Sequence, residues 1–476
     1  MKDLTQGNEG KIILIFALPM LIGNVLQQLY NTVDGIIVGR FLGETALAAV
    51  GVSFPIIFLI IALLMGIGMG SSILISQFYG AKDYSNVVKT MDTGLIANYI
   101  VVIFLTIVGL LVTKPLLVWL KTPPEIIPEA AAYLKVIFLG MIGIVGYNYI
   151  SAILRGLGDS KTPLYFLIIA TILNIILDIV FIMVLHLGVA GAAWATIISQ
   201  LFSFIFGVVY LNKTHYLVKI SFRNLQFDRK ILMETIRIGL PTGVQQMLVS
   251  VSFVVLQAII NSFGTVVIAA YTAGSRIQAF GIMPAMNISM AVSAFVAQNL
   301  GARKEERVKN GFTAGLKISG LISVVTIAAI LLFGKYMIML FNTNPEVLDK
   351  GYRYLMIVSP FFIVASIMFV TTGVLRGAGD TLSALIISVS ALWGIRLPVA
   401  KLLSGMIGYT GIFWSVGADW SVAAIAAVVY YLTGRWKNKL DVSKFGKEGG
   451  EDNDRQQKDC GGIAPNDNQN KKGDKG

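Results

Sequence analysis

The chain has 476 residues, of which 55% are hydrophobic and 13% are charged, and its formal net charge is +12. Soluble domains carry about 25% charged residues, so this composition excludes an ordinary soluble domain and indicates a polytopic membrane protein. The single cysteine, Cys460, excludes a disulfide framework and a CxxC metal site. The basic residues collect in alternate loops, which argues against a nucleic-acid partner.

Twelve apolar runs follow one another along the chain, and a membrane-spanning helix needs about 20 such residues. Lipid offers no water to unpaired backbone groups, so we expect helices rather than open strands. The runs cover residues 12–38, 49–76, 92–113, 131–153, 163–186, 188–211, 235–262, 266–296, 312–333, 354–374, 382–407 and 412–433. The predicted fold class is therefore an all-α polytopic membrane protein with 12 transmembrane helices.

Lys and Arg are unevenly divided between the gaps that separate these runs. The N-terminus, the even-numbered gaps and the start of the C-terminal segment hold 22 of them, and the odd-numbered gaps hold six. Cytoplasmic loops carry the excess of positive charge, so we expect both termini in the cytoplasm. Residues 441–476 mix charges of both signs with Gly, Asn and Gln, which predicts a disordered cytoplasmic tail.

The chain contains two copies of one unit. QFYGAK at 77–82 returns as QNLGAR at 298–303, and LRGLGD at 154–159 returns as LRGAGD at 375–380, both at an offset of 221. Six runs per copy is an even number, so both copies enter the membrane from the same side as parallel repeats. We predict two six-helix bundles related by a pseudo-two-fold axis, as in alternating-access transporters. The predicted parts are an N-terminal lobe at 1–211, a cytoplasmic linker at 212–234 and a C-terminal lobe at 235–440.

Polar side chains interrupt three runs of the first repeat, although a charge at a helix centre costs about 2.5–3.5 kcal/mol. They share helix faces at separations of one or two turns: Gln27, Asn31 and Asp34 in the first run, Asn174 and Asp178 in the fifth, and Thr196 and Gln200 in the sixth. A shift of 221 puts Val255, Ile395, Val399 and Gly417 at the positions of Asp34, Asn174, Asp178 and Thr196. This asymmetry favours a specialised site in the first repeat over a hydrogen-bonded network that only fixes helix packing.

Two carboxylates, an amide and a hydroxyl offer the oxygen ligands that a small hard cation such as Na⁺ prefers. They suit a proton carrier equally well, because burial and a neighbouring like charge favour the protonated form of a carboxyl group. We therefore expect Asp34, Asn174, Asp178 and Thr196 to bind Na⁺ or a proton, with Gln27, Asn31 and Gln200 as supporting residues. The two coupling ions stay open alternatives.

The second repeat contains candidate residues for a substrate cavity. Arg276 and Arg396 are basic residues within apolar runs, and Met283, Met286 and Met290 follow at i, i+3 and i+7. Flexible methionine surfaces adapt to varied apolar ligands; gap-filling in the bundle core is the alternative.

Two glycine-containing motifs predict local structure. GIGMG at 66–70 has no strand before it, so it indicates a close-packing surface rather than a nucleotide-binding loop. The repeated RGxGD predicts a turn in which glycine allows the tight backbone and aspartate caps the next helix.

The chain resembles the multidrug and toxic compound extrusion (MATE) family, most closely its DNA-damage-inducible F-like branch. The resemblance lies in LPMLIGNVLQQLYNTVDGIIVGRFLG, the paired QFYGAK and QNLGAR, the paired LRGxGD and NIILDIVFI, and it covers roughly residues 10–440. It implies a V-shaped transporter that expels cationic or amphipathic small molecules in exchange for Na⁺ or H⁺. It also implies that Asp34, Asn174, Asp178 and Thr196 match the family's cation site.

The resemblance also sets expectations for the surroundings. We expect a monomer among membrane lipids, in the cytoplasmic membrane of a bacterium or archaeon, with no nucleic-acid partner and no cofactor besides the coupling ion. Another branch of the family uses acids in the C-terminal lobe, where this chain has Gln245, Gln246 and Gln278. A second-lobe cation site is therefore not expected.

Three other functions are alternatives. A flippase for lipid-linked sugars or other amphiphiles shares this topology and would use basic residues in its cavity, which Arg276 and Arg396 could supply. An intramembrane enzyme would require a nucleophile with its base, or a metal cluster, and no such spacing occurs. A passive channel fits poorly with an acid site in one repeat only.

Overall fold

The computed structural model describes residues 3–214 and 219–439, so Cys460 and the predicted tail lie outside the described residues. Among the described residues, all regular structure is helical. The main helices are α1 (Glu9–Leu42), α2 (Glu44–Gly80), α3 (Tyr84–Trp119), α4 (Ile127–Leu139 and Met141–Gly156), α5 (Lys161–Val184), α6 (Gly188–Thr214), α7 (Arg229–Asn261), α8 (Thr265–Gly301), α9 (Glu305–Met339), α10 (Pro345–Gly377), α11 (Thr381–Ile407) and α12 (Thr410–Leu432).

These helices confirm the predicted fold class. Eleven of them are long and apolar enough to cross a membrane, and the two parts of α4, bent by 51°, qualify together as one more. Each predicted run overlaps one helix. α2 and α8 have 37 residues each, which corresponds to about 55 Å. Both therefore extend beyond a hydrocarbon core of about 30 Å.

The two turns that contain RGxGD, after α4 and after α10, share their backbone conformation as well as their sequence. Gly158 and Gly379 have φ of 86° and 82°, so the second glycine of RGxGD adopts a conformation that other residues rarely take. Asp159 Oδ1 accepts from the backbone N–H of Lys161 and Thr162, both at 3.0 Å. The predicted turn and its aspartate cap are confirmed.

One register in the repeat needs correction. Gly188 begins α6 and Gly408 lies just before α12, with φ of 61° and 68°, so the offset between these two turns is 220 rather than 221. The counterpart of Thr196 in α12 is therefore Val416, not Gly417. The position is apolar in the second repeat as expected, but a one-residue deletion separates α11 from α12.

We call α1–α6 the N-lobe and α7–α12 the C-lobe. The lobes meet at the end of the molecule where α1 and α7 begin and where α2, α4, α8 and α10 end, which we call the basal end. The main contacts join α2 to α7 and α8, α1 to α8 and α9, and α3 to α7. Gly66 and Gly70 of α2 lie against the backbone of Gly239 and Thr235 of α7, where an added Cβ would overlap a carbonyl oxygen. The predicted close-packing role of GIGMG is confirmed.

The first helix of each lobe begins against the other lobe. Ile13 and Phe16 of α1 belong to a buried cluster with Phe295 of the C-lobe, whereas Ile37 and Val38 of the same helix pack in the N-lobe core. Conversely, the segment before α7 is attached to α3, because Gln226 N donates to Asp92 Oδ2 at 3.1 Å and Asp228 N to Thr93 Oγ1 at 3.0 Å. α1 therefore spans both lobes, with Pro19 inside the helix.

Candidate functional site

The predicted acidic residues of the N-lobe meet between α1 and α5. The side chains of Asp34 and Asp178 are neighbours that interact electrostatically. Asp178 is fully buried and Asp34 half-buried. Oδ1 of each carboxyl group is buried without a donor among the described residues. Two neighbouring carboxyl groups in a low-dielectric site disfavour the state in which both are ionised.

Asn174 joins the acid pair to α6. With its amide nitrogen facing Asp178, Asn174 donates to Asp178 Oδ2 at 3.1 Å, and its amide oxygen accepts from the backbone N–H of Thr196 at 3.2 Å. Asn174 is 1% exposed. The structure thus brings together all four residues predicted for the cation site, from three helices that are distant in sequence.

Two tyrosines that the sequence analysis missed complete this cluster. The hydroxyls of Tyr30 and Thr196 are 3.1 Å apart. Tyr133 is buried close to Asp34, Tyr30 and Asp178. Tyr30 could have been found from its spacing, because it precedes Asp34 by four residues and so lies one turn away. Tyr133 lies on α4, and no local spacing connects it with Asp34.

The three residues predicted to support the cation site fall into two groups, one next to the cluster and one outside it. Gln200 is 9% exposed, and its Oε1 has no donor among the described residues, so it is available next to Thr196. Gln27 and Asn31 are exposed and form no hydrogen bond with the acid pair in the described part of the chain. Their predicted position on the Asp34 face does not bring them into the cluster.

The helix geometry changes at the acid pair. The α-helical part of α5 ends at Asp178 and a π-helical segment, Ile179–Val184, follows it. π-helical segments are rare and occur frequently at functional sites. α11 of the C-lobe has a similar segment, Leu392–Arg396, so each lobe has this irregularity in its fifth helix beside a charged residue.

The C-lobe has a buried ion pair next to its own π-helical segment. Arg396 Nη1 is 4.0 Å from Asp419 Oδ2, and the two side chains are 6% and 7% exposed. The guanidinium lies over the ring of Phe253, with Cζ 5.5 Å from its centroid, and Nε has no acceptor among the described residues. The sequence analysis missed Asp419, although a lone acid in the twelfth apolar run was the signal.

The other candidate substrate residues lie at different depths. Arg276 and Met286 are exposed, and Met283 and Met290 are half-buried. The side chain of Arg396 is buried with Asp419, so its charge is neutralised within the lobe. Its role in a substrate cavity stays a prediction.

The chemistry of the N-lobe cluster suits a hard cation or a proton. Among the described residues, no three His, Cys, Asp or Glu side chains are grouped as in a multidentate metal site. Asp34, Asp178, Asn174 and Thr196 supply oxygen atoms only, apart from the amide nitrogen that Asp178 already accepts from. An ion of one positive charge, or one shared proton, would relieve the repulsion between the two carboxylates.

Comparison with known proteins finds the same two halves of the chain. A family model described as MatE matches residues 19–180 and again 241–402. The chain is 34% identical over 442 residues to the probable multidrug resistance protein YpnP of Bacillus subtilis, covering 91% of the chain and 97% of the relative. It is 27% identical over 440 residues to the multidrug export protein MepA of Staphylococcus aureus, covering 91% and 96%.

Solved structures match over the same length. A crystal structure of MATE in the bent conformation has a TM-score of 0.85 at 28% identity, covering 90% of the chain and 96% of the match. A second solved structure is a transporter of the MOP superfamily from Pyrococcus furiosus, described as having a binding pocket of reverse polarity. Its TM-score is 0.84 at 28% identity, and the match covers 91% of this chain and 97% of that transporter.

Proposed function

The chain belongs to the MATE family, and we propose that it exports cationic or amphipathic small molecules in exchange for Na⁺ or H⁺, using a cation site in the N-lobe. The family consists of transporters, so the chain is an integral multi-pass membrane protein and not an enzyme. Relatives are named multidrug resistance and multidrug export proteins, which supports drug-like substrates for this chain.

One observation carries the proposed coupling. Asp34, Asp178, Asn174 and Thr196 form a buried cluster with two acids and no base. The C-lobe positions that correspond to them are Val255, Val399, Ile395 and Val416. Among the residues that the structure describes, a cluster of acids without a basic partner is found in the N-lobe and not in the C-lobe, which is the arrangement expected of a single coupling site.

α1 connects this site to the contact between the lobes. Asp34 lies in the part of α1 that packs in the N-lobe, whereas Ile13 and Phe16 pack on the C-lobe. Binding or release of a cation at Asp34 changes the repulsion between Asp34 and Asp178, and any displacement of α1 that results is transmitted to the basal end. Ion binding can shift an equilibrium between two conformations only through such differential contacts.

The excess of lysine and arginine in the loops of the basal end supports a cytoplasmic location of that end. In this arrangement the described conformation is closed towards the cytoplasm, with both termini on that side. The proposal further includes a monomer surrounded by lipids in the cytoplasmic membrane of a bacterium or archaeon, with no cofactor besides the coupling ion. The lobe boundaries proposed above, at 1–211 and 235–440, belong to it as well.

The direct test is ethidium extrusion from proteoliposomes, driven separately by an imposed Na⁺ gradient and an imposed pH gradient. Extrusion by the wild type under one gradient, abolished in Asp34→Asn, is the expected result, and the effective gradient identifies the ion. Asp349→Asn is the matched control, because it removes a carboxylate at the start of α10, far along the chain from the acid pair. Extrusion that survives Asp34→Asn would exclude the N-lobe site as the coupling site.

A flippase for lipid-linked sugars or other amphiphiles is the second candidate. The exposed Arg276 favours it, since a basic residue in a cavity would attract an anionic head group. One solved transporter of the MOP superfamily that resembles this chain is described as having a binding pocket of reverse polarity. Translocation of a fluorescent lipid-linked sugar, without ethidium extrusion under either gradient, would select this function.

A further inference from the structure

The two repeated motifs, QFYGAK with QNLGAR and LRGLGD with LRGAGD, have no role in the proposed cation site. Both motifs lie at the basal end. The glutamines that open the first pair, Gln77 and Gln298, are 1% and 0% exposed. Buried amides are hydrogen-bonded as a rule, so their partners indicate what the motif does.

Each glutamine reaches into the other lobe. Gln77 Nε2 donates to the carbonyl oxygen of Gly377 at 3.1 Å, and Gln298 Nε2 donates to that of Gly156 at 3.0 Å. Gly156 is the last residue of α4 and Gly377 the last residue of α10. The two hydrogen bonds are therefore related by the same pseudo-two-fold axis as the lobes, and each crosses the contact between them.

The acceptors explain why the bonds are needed. The last four carbonyl groups of an α-helix lack a partner within the helix. A glutamine of the opposite lobe supplies the missing donor for one such group at the end of α4 and of α10. This partner is present only while the lobes are in contact, so separating them at the basal end removes the cross-lobe donor from both carbonyls and leaves both amides to be hydrated.

The glycines of the same motif allow the contact. A Cβ at Gly80 would overlap the carbonyl oxygen of Gln298, and a Cβ at Gly301 would overlap that of Gln77. The ends of α2 and α8 therefore touch backbone to backbone, and any side chain at these two positions would push them apart. Glutamine and glycine of QxxGA thus have complementary roles at one contact.

The N-terminal segment supports one of the two hydrogen bonds. Leu4 is 1% exposed, and its N–H donates to Gln298 Oε1 at 3.2 Å. Asn299 Nδ2 donates back to Leu4 O at 3.1 Å, and Lys304 Nζ donates to Thr5 O at 2.9 Å. Residues 3–8, which precede the first helix of the N-lobe, are therefore held on the C-lobe next to Gln298.

We propose that Gln77 and Gln298 form a reciprocal latch that holds the basal end closed and sets the ratio of basally closed to basally open molecules, with residues 3–8 bracing the Gln298 half. The inference rests on the proposed alternating access, because a latch has a function only if the lobes separate at this end. Removing either glutamine leaves a helix-terminal carbonyl without its cross-lobe donor. We expect the open-to-closed ratio to rise about tenfold for each glutamine removed.

The two halves of the latch differ in the side-chain donors that each carbonyl oxygen has. Gly156 O also accepts from Ser76 Oγ at 3.0 Å, whereas the residue corresponding to Ser76 is Ala297, which has no side-chain donor. Gln77→Ala therefore removes the side-chain donor of Gly377, while Gln298→Ala leaves Ser76 on Gly156 but releases Leu4. Gln77→Ala should open the contact itself, and Gln298→Ala should in addition free the N-terminal segment.

The test measures the distance across the basal end by double electron–electron resonance in nanodiscs. Spin labels on Ser85→Cys and Glu306→Cys, both outside the latch, are introduced with Cys460→Ser. We expect one short distance in the parent protein and a growing long-distance population in Gln77→Ala and Gln77→Ala/Gln298→Ala. Gln257→Ala is the matched control, because its amide donates within α7 to Asn261 at 2.8 Å.

A second variant keeps the test independent of the glutamines. Gly80→Ala should open the same contact, whereas Gly51→Ala, in the same helix but with no atom within 4 Å of an added Cβ, should leave the distances unchanged. Leu4→Asp tests the N-terminal segment and should produce a smaller opening than Gln77→Ala. Folding of every variant is checked by size-exclusion chromatography and thermal melting.

Folded Gln77→Ala/Gln298→Ala and Gly80→Ala proteins with unchanged distances would overturn the latch. The distances do not depend on transport, so failure of the latch is distinguishable from failure of the proposed function. A long-distance population in these variants together with no ethidium extrusion by the wild type would support the latch and refute the drug antiporter.

Discussion

Each lobe has a buried ionisable centre on its fifth helix, and the two centres differ in how the cost of buried charge is met. In the N-lobe, Asp34 and Asp178 are neighbours, and no basic side chain among the described residues interacts with them. In the C-lobe, Asp419 faces Arg396 at 4.0 Å. Each centre adjoins a π-helical segment of the lobe's fifth helix. The two lobes therefore share a helix irregularity but differ in whether the protein itself supplies the neutralising charge.

This difference separates the proposed exchangeable charge of the N-lobe from a charge that the C-lobe keeps. In the proposed function, a cation at the N-lobe centre comes from solution and can leave, so the charge state of that centre would follow the ion concentration. Arg396 is covalently attached, and a guanidinium stays protonated in proteins. The C-lobe centre therefore needs no positive charge from solution, which agrees with the proposed single coupling site.

The largest expected effect comes from removing the second acid of the N-lobe centre. Asp178→Asn retains the shape of the side chain but abolishes the carboxylate pair, so we expect loss of gradient-driven extrusion to background. Cation-dependent thermal stabilisation of the purified protein, which follows from binding to the folded state, should disappear as well. A variant that is still stabilised by Na⁺ or by acid would show that Asp34 alone forms the site.

Arg396→Ala tests the C-lobe centre and should have the second largest effect. Removing one partner of a buried ion pair leaves an uncompensated charge and typically costs about 3–5 kcal/mol of stability. We expect a large drop in melting temperature, recovered in Arg396→Met/Asp419→Leu, which replaces both charges by apolar groups. Melting temperatures that do not recover in the double variant would indicate that Arg396 has a role beyond neutralising Asp419.

Much of the fold follows from sequence because it depends on local patterns. Long apolar runs predict membrane-spanning helices, and the repeated motifs at an offset of 221 predict the relation between the lobes. The spacing of Asn174 and Asp178 places them one turn apart on α5. That Asp34 meets them could be expected only through the resemblance to a known family, because the contact joins α1 to α5.

What the sequence did not predict depends on contacts between distant segments. Asp419 is a single acid whose partner lies on the preceding helix, and no period within one helix connects the two. The one-residue deletion between α11 and α12 also displaces the counterpart of Thr196. The cross-lobe bonds of Gln77 and Gln298 have the same character, since their acceptors are backbone atoms that a motif does not identify.

Tyr30→Phe should have a smaller effect on the N-lobe centre. It removes the hydroxyl that lies 3.1 Å from Thr196 Oγ1 but retains the ring, and the net worth of such a hydrogen bond is about 1 kcal/mol. We expect an apparent cation affinity weakened about fivefold, measured from the cation concentration that raises the melting temperature halfway. An unchanged affinity would restrict Tyr30 to packing.

The smallest expected effects are those of Gln27→Ala and Asn31→Ala, and they test which face of α1 belongs to the site. At about 100° per residue, Tyr30 lies about 40° from Asp34 on one side and Asn31 about 60° on the other. The hydrogen bond between Tyr30 and Thr196 shows that the Tyr30 side faces α6, and Asn31 is exposed on the opposite side. We expect extrusion rates within twofold of wild type for both variants. A strong loss in either variant, with cation stabilisation intact, would place that side chain on the substrate path, because it would separate transport from ion binding on the same helix.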